Sequence, residues 1–214
     1  MRSLLAAGAL CLLATSACAT ASTTETPTST SASAPTTSTS KAPRPLVPPI
    51  TEWPTWFDMD DPKTGFALQM PYKVPPSEDG DSKPPQRTHK IDLSPLKADQ
   101  NTLTVVFVEL PDASPAALLR LPDVMVREAK KKGVADAKVD SVTDAVHKGL
   151  PAVDYTMSWT EPTGAKVVRW GRYVTNGKGV LTVDTIATGE AATGAYGETM
   201  RQYHQKVVDS ARSL

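Results

Sequence analysis

The chain has 214 residues, 40% of them apolar, and its 23 basic and 23 acidic side chains cancel to a formal net charge of zero. That balance excludes the strong positive field a polyanion-binding surface needs, so nucleic acid is not an expected partner. Two cysteines, Cys11 and Cys18, exclude a disulfide framework, and no repeat of solenoid period runs through the chain.

Arg2 precedes an apolar run from Leu4 to Ala14, and Thr15-Ser16-Ala17-Cys18 closes that run with small residues. This is the layout of an export signal. At 1.5 Å per residue the apolar run is only about 16 to 20 Å long, short of the roughly 30 Å hydrocarbon core of a bilayer, so cleavage is expected rather than a spanning helix. Thr15-Ser16-Ala17-Cys18 resembles a bacterial lipobox, although the pattern prefers Leu, Val or Ile where Thr15 stands. In that family the cysteine becomes the new N-terminus and carries a thioether-linked diacylglycerol, usually with a further amide-linked acyl chain. The resemblance implies a lipoprotein signal peptide over residues 1–17 and lipidation at Cys18. The membrane is then a partner through the anchor, on the extracytoplasmic side. An ordinary secretory cleavage near Ala17 or Ala19 is the alternative, and it leaves a free protein. Two acyl chains hold a protein firmly where one holds it marginally.

Residues 18–50 form the next unit. From Thr20 to Ser40 the chain has no large apolar residue and a single charge, Glu25. Such a composition has too little to bury to offset its ordering entropy, so a disordered, partly polyproline-like tether is expected. Lys41, Arg44, Pro43, Pro45, Pro48 and Pro49 end it in a basic, proline-rich collar. The hydroxyl density also makes the tract a candidate for O-glycosylation, with a bare linker as the other reading.

Residues 51–214 are enough for one domain with a substantial core. Trp53, Trp56 and Phe57 open it, and Phe66, Leu68 and Met70 alternate as a short strand before Pro71. The stretch from Tyr72 to Gln86 predicts a loop, Lys90 to Leu93 a short edge strand, and Leu103 to Leu110 a strand buried on both faces. Ser114 predicts an N-cap with Pro115 at the first helical position. Pro122 must kink or restart that helix, and Lys130 to Lys132 then lead to a stop at Gly133.

Val139 to Val146 predicts a strand turned by Lys148-Gly149-Leu150-Pro151 into Val153, Tyr155, Met157 and Trp159, which alternate cleanly. Pairing Glu161 with Lys166 sets Met157 against Trp170 and Trp159 against Val168. A slip of one residue sets Trp170 against Thr156, so hydrophobic matching selects the first register. A two-residue turn at Asn176-Gly177 sets Trp170 against Val183 and Arg169 against Asp184. From Ala195 to Leu214 one helical stripe carries Tyr196, Met200, Tyr203, Val207, Ala211 and Leu214. The fold class expected is α+β, a mostly antiparallel sheet packed with a kinked central helix and a C-terminal amphipathic helix.

The Gly65 to Pro71 strand, the mid-chain helix, the Gly149-Leu150-Pro151-Ala152 turn, the Gly179-Val180-Leu181-Thr182 strand and the closing helix together resemble the PsbP-like sandwich of actinobacterial LpqN-type lipoproteins. That resemblance implies a binding or scaffolding role at the cell envelope without catalysis, and it carries over no catalytic residue.

His89, His147 and His204 stand in no metal-ligand spacing, and no nucleophile elbow, phosphate loop or dinucleotide fingerprint occurs, so neither a metal nor a cofactor is expected. Asp58, Asp60 and Asp61 lack the calcium-loop order and predict a solvated acidic turn. Two ligand-binding candidates remain. One is a polar sheet face gathering Asp154, Arg169, Tyr173 and Asp184, against which stands ordinary cross-strand pairing. The other is the aromatic group Trp53, Trp56 and Phe57, against which stands a core plug at the tether junction. The first functional expectation is a non-catalytic envelope lipoprotein that binds an envelope protein or a lipid or glycan. A lipid or glycolipid carrier is the rival and requires a cavity near Trp159, Trp170 and Met157. A hydrolase, the third, requires a cleft where nucleophile and base converge.

Overall fold

The computed structural model describes residues 55–79, 83–93 and 101–214. Cys18, Trp53 and the whole Ser/Thr/Pro-rich tract lie outside the described residues. The strands are β1 (Phe57–Asp61), β2 (Phe66–Met70), β3 (Ser77–Asp79), β4 (Gln86–Asp92), β5 (Thr102–Val108), β6 (Lys138–His147), β7 (Leu150–Thr160), β8 (Lys166–Thr175), β9 (Val180–Thr188) and β10 (Arg212–Ser213). The helices are α1 (Pro115–Leu118), α2 (Leu121–Lys131), α3 (Glu190–Thr193) and α4 (Ala195–Ser210).

β5 is the most apolar strand, and every one of its residues is buried. It lies inside a seven-stranded sheet of order β3-β4-β5-β9-β8-β7-β6, in which every pair is antiparallel. One face packs against α4 and a second sheet of order β1-β2-β10. There Phe66, Leu68 and Met70 of β2 meet Leu103, Val105 and Phe107 of β5 and Val207 and Val208 of α4. The opposite face is covered by α1 and α2, where the Tyr173 hydroxyl donates to Met125 Sδ of α2 at 3.5 Å. The chain therefore folds as an α+β sandwich.

Local chemistry explains the helix ends. The Ser114 hydroxyl accepts the Ala117 N–H at 3.2 Å, which caps α1. Pro122 lacks the donor that would continue α1, so the chain restarts as α2 with proline in its first turn. Lys148 and Gly149 both take positive φ, 49° and 83°, as a two-residue hairpin turn between β6 and β7 requires. The same turn closes α4: His147 Nε2 lies 2.9 Å from the Ala211 carbonyl, and the Lys148 ammonium donates to the Asp209 and Ala211 carbonyls.

Several elements depart from the sequence expectation. The loop after Tyr72 contains the short strand β3, so β4 is an interior strand and starts four residues earlier than expected. The last helix stops at Ser210, because the chain then adds β10 to β2 through Arg212↔Ala67 and Ser213↔Phe66. Leu214 is exposed as a result.

The β7/β8 register is the one that hydrophobic matching rejected: Trp170 faces Thr156 and Trp159 faces Val167. Gly164, at φ 83°, closes a three-residue loop in which the Glu161 N–H donates to Ala165 O at 2.9 Å, and turn geometry overrules side-chain matching. The Asn176 turn is longer than two residues. Asn176 Oδ1 accepts the N–H groups of Lys178 and Gly179, so the loop runs from Asn176 to Gly179 and Trp170 faces Thr185 rather than Val183.

Asp61 is a buried structural carboxylate rather than part of a solvated turn. Arg87 of β4 grips both its oxygens at 2.7 Å and reaches Glu109 at 2.6 Å, tying the small sheet to the large one. The guanidinium and the Thr64 hydroxyl hold the Asp61 carboxyl below its ordinary pKa against the opposing effect of burial.

Candidate functional site

The polar sheet face foreseen from the sequence is partly assembled, and it is closed. Arg169 on β8 and Asp184 on β9 are 3% and 2% exposed, and they form a bidentate ion pair in which the Nε and Nη2 edge of the guanidinium donates to both carboxylate oxygens. The Tyr155 hydroxyl of β7 donates to the same carboxylate, and its ring stacks on Tyr173 with centroids 4.9 Å apart. Burial opposes ionisation of both tyrosines, and Asp184 adds to that, so both phenols stay protonated. The nearby carboxylate holds Arg169 charged against the desolvation of its site. Gly171 lies beneath Tyr155, leaving the ring room to reach Asp184. The cluster has its hydrogen bonds internally and is covered, which fits an anchor between strands better than a ligand site.

Asp154 is not in this cluster. The one-residue difference in the β7/β8 register turns it to the other face, where Arg172 grips its carboxylate, and brings Tyr155 into its place. On that face His204 of α4 lies 3.0 Å from the Thr185 hydroxyl. Burial pushes the imidazole down to about 4 and Arg172 works in the same direction, while Asp184 and Asp154 oppose them. The folded chain holds His204 neutral where the unfolded chain, with a pKa near 6.5, takes up a proton. Its contribution is complete above pH 6.5 and lost as pH falls toward 4. Urea titrations should show wild-type stability falling by about 3 kcal/mol more than that of His204→Asn across that window; parallel profiles would refute this assignment.

The second candidate, the aromatic group, leads to an open site. Trp56 packs on Tyr203 of α4 with ring centroids 6.3 Å apart, and the Lys206 ammonium sits 4.3 Å from the indole centroid. Phe57, 37% exposed, stands at the start of β1. Beside them a groove of about 410 Å³ opens between the end of β4 and α4. Its apolar lining comes from Val74, Ile91, Leu93 and Met200, and three tyrosines, Tyr72, Tyr196 and Tyr203, complete it with Thr199, Lys90 and Asp92. The Tyr196 hydroxyl donates to the Leu93 carbonyl. Burial, reinforced by Tyr72, raises the Tyr203 pKa. The volume lies within the range of small-ligand and peptide sites. Of the three aromatic residues expected here, Trp56 packs on Tyr203, one of the lining residues, Phe57 lies on β1 and Trp53 lies outside the described residues.

Sequence reasoning missed the three tyrosines as a binding set. Tyr196 and Tyr203 are seven residues apart, two turns of one helix, which is a legible spacing. What brings Tyr72 to them is the packing of the small sheet on α4, which no local pattern encodes.

A second hollow, of about 370 Å³, lies at the β6/β7 turn beside Pro115 and Val146. The cavity expected near Trp159, Trp170 and Met157 does not form there. The two tryptophans lie on opposite faces of the sheet, Met157 is buried, and Arg201 of α4 stacks 4.7 Å over the Trp170 ring. Among the described residues no three His, Cys, Asp or Glu side chains converge on a metal-sized site, and no helix is long and apolar enough to cross a membrane.

The antiparallel sheet with helices on both faces defines the chain as a PsbP-like α+β sandwich. The cyanobacterial PsbP protein of Synechocystis, CyanoP, is similar over 77% of this chain and 95% of its own, with a TM-score of 0.50 at 13% identity. LpqN of Mycobacterium tuberculosis, involved in cell envelope biogenesis, is similar over 73% of this chain and 76% of its own, with a TM-score of 0.35 at 13% identity. No protein-family model and no curated protein matches the chain. The PsbP-like architecture expected from the order of elements is therefore the one adopted.

Proposed function

We propose that this is a cell-envelope lipoprotein of LpqN type, attached to the outer side of the cytoplasmic membrane through acyl chains on Cys18, whose domain works by binding rather than catalysis. The observation that carries the binding role is the tyrosine-lined groove between β4 and α4, an open apolar hollow edged with hydroxyls on a domain whose polar cluster is closed. The anchor rests on the residues around Cys18 and on the absence of any other cysteine from the chain beyond it. Cys18→Ala expressed in an actinobacterial host should appear in the culture medium while the parent chain stays with the membrane. Retention of the variant would refute the anchor. The mass of the parent's N-terminal peptide should exceed that of the bare peptide by the acylglycerol.

The carrier reading keeps one specific support. The groove lies between sheet and terminal helix, as a carrier requires, although Ile91, Leu93 and Met200 line it instead of the tryptophans expected. Native mass spectrometry of the protein taken from its own membrane separates the two: a co-purified lipid favours the carrier, and a ligand-free domain favours partner binding.

A further inference from the structure

We infer that the outer edge of β6 is a docking site for an extended segment of another protein, one that carries a lysine or arginine between two apolar residues at alternate positions. This surface is separate from the groove. β6 is the last strand of the large sheet and has 10 residues, whereas β3 at the other edge has 3. Lys148 and Gly149 make a two-residue turn, so His147 and Leu150 exchange both their backbone hydrogen bonds. The alternation of an antiparallel ladder then aims the N–H and C=O groups of Val142, Asp144 and Val146 away from β7. No described strand lies on that side. Side chains two residues apart share a face, so the same three residues present a valine, a carboxylate and a valine in a row. They lie on the face covered by α1 and α2, where Val142 stands opposite Tyr155.

Charge and shape name the occupant. Val146 is 76% exposed, more than any other large apolar side chain described, and Asp144 beside it is exposed too. None of the ion pairs among the described residues involves Asp144. A carboxylate in the middle of an apolar row blunts an edge selectively: an incoming strand must bring a cation to Asp144 and apolar side chains to Val142 and Val146. Main-chain bonds then supply affinity, and the row supplies specificity. The hollow of about 370 Å³ between Pro115, Val146 and Pro151 lies on this face and receives an apolar side chain of the docked segment. A second copy of the chain is the poorer occupant. Laid antiparallel on its own copy with Val142 against Val146, β6 sets Asp144 directly against Asp144, a repulsive pair. At the other end the bulge between Val139 and Ser141 interrupts the ladder, so the docked segment is confined to the length of Ser141 to His147.

The test uses the full chain, isotope-enriched for NMR, and the capped synthetic peptide Thr-Val-Thr-Lys-Thr-Val-Thr. On titration the amide signals of Val142, Asp144 and Val146 should shift and exchange more slowly with solvent. The same peptide with glutamate in place of lysine should bind roughly fivefold more weakly, the size of a cross-strand charge pair turned from attraction to repulsion. Asp144→Lys, an exposed substitution, should reverse that order of preference. N-methylation of the peptide at its two valines and its lysine removes the N–H groups that face β6 and should abolish the shifts while leaving the protein unchanged. Equal binding of the two charged peptides, binding that survives N-methylation, or no shift at the three residues would overturn the inference. So would shifts at Leu93, Thr199 and Met200 in place of β6, which would assign the peptide to the groove. Shifts at β6 that follow the protein's own concentration without peptide would overturn it as well, since the occupant would then be a second copy.

Discussion

Asp184→Ala is expected to cost about 3 to 5 kcal/mol of folding stability, the range for removing one partner of a buried ion pair. The loss comes less from the attraction forgone than from what stays behind. Arg169, buried and with no route to water, keeps its charge, and the Tyr155 hydroxyl loses its acceptor. Replacing both charges with apolar residues, Arg169→Met with Asp184→Leu, should recover much of the loss, because the uncompensated charge then disappears. Denaturant titrations of the two single variants and the double variant give the coupling directly. A cost below about 1 kcal/mol for Asp184→Ala would mean that water reaches the cluster in solution.

Gly171→Ala is expected to be nearly as damaging, at about 3 kcal/mol, the upper end for overpacking a core. A Cβ at this position would stand 2.1 Å from Tyr155 Cζ. The ring has nowhere to retreat, since it is stacked on Tyr173 and bonded to Asp184. Tyr155→Leu in the same chain should relieve the clash and make the double variant's cost less than the sum of the single ones. Additive losses would show that the two positions do not meet. Thermal melts are an adequate readout, because an effect of this size moves the midpoint by roughly 6 °C or more in a domain of this length.

The two glycine loops explain why the candidate site was only partly legible. Arg169, Tyr173 and Asp184 were foreseen on one face, and they do meet. The longer Asn176 loop shifts β8 against β9 by two residues, which preserves the face each side chain occupies. The Gly164 loop shifts β7 against β8 by one, and that changes every face along β7. Asp154 leaves the cluster and Tyr155 enters. Hydrophobic matching could not detect the shift, because helices cover both faces of the sheet and apolar residues are welcome on either.

Read alone, the residues determined whatever depends on neighbours a few positions away. These include the Ser114 cap, the restart at Pro122, a turn beginning at Lys148, the buried strand β5 and the stripe on α4, because capping, proline sterics and periodicity act within one or two turns of chain. From these the α+β class followed. Only the tertiary structure decided the strand registers, the diversion of the last residues into β10 and the meeting of Tyr72 with Tyr196 and Tyr203. Those outcomes depend on loop geometry and on contacts between segments more than a hundred residues apart, whose energies no local pattern records.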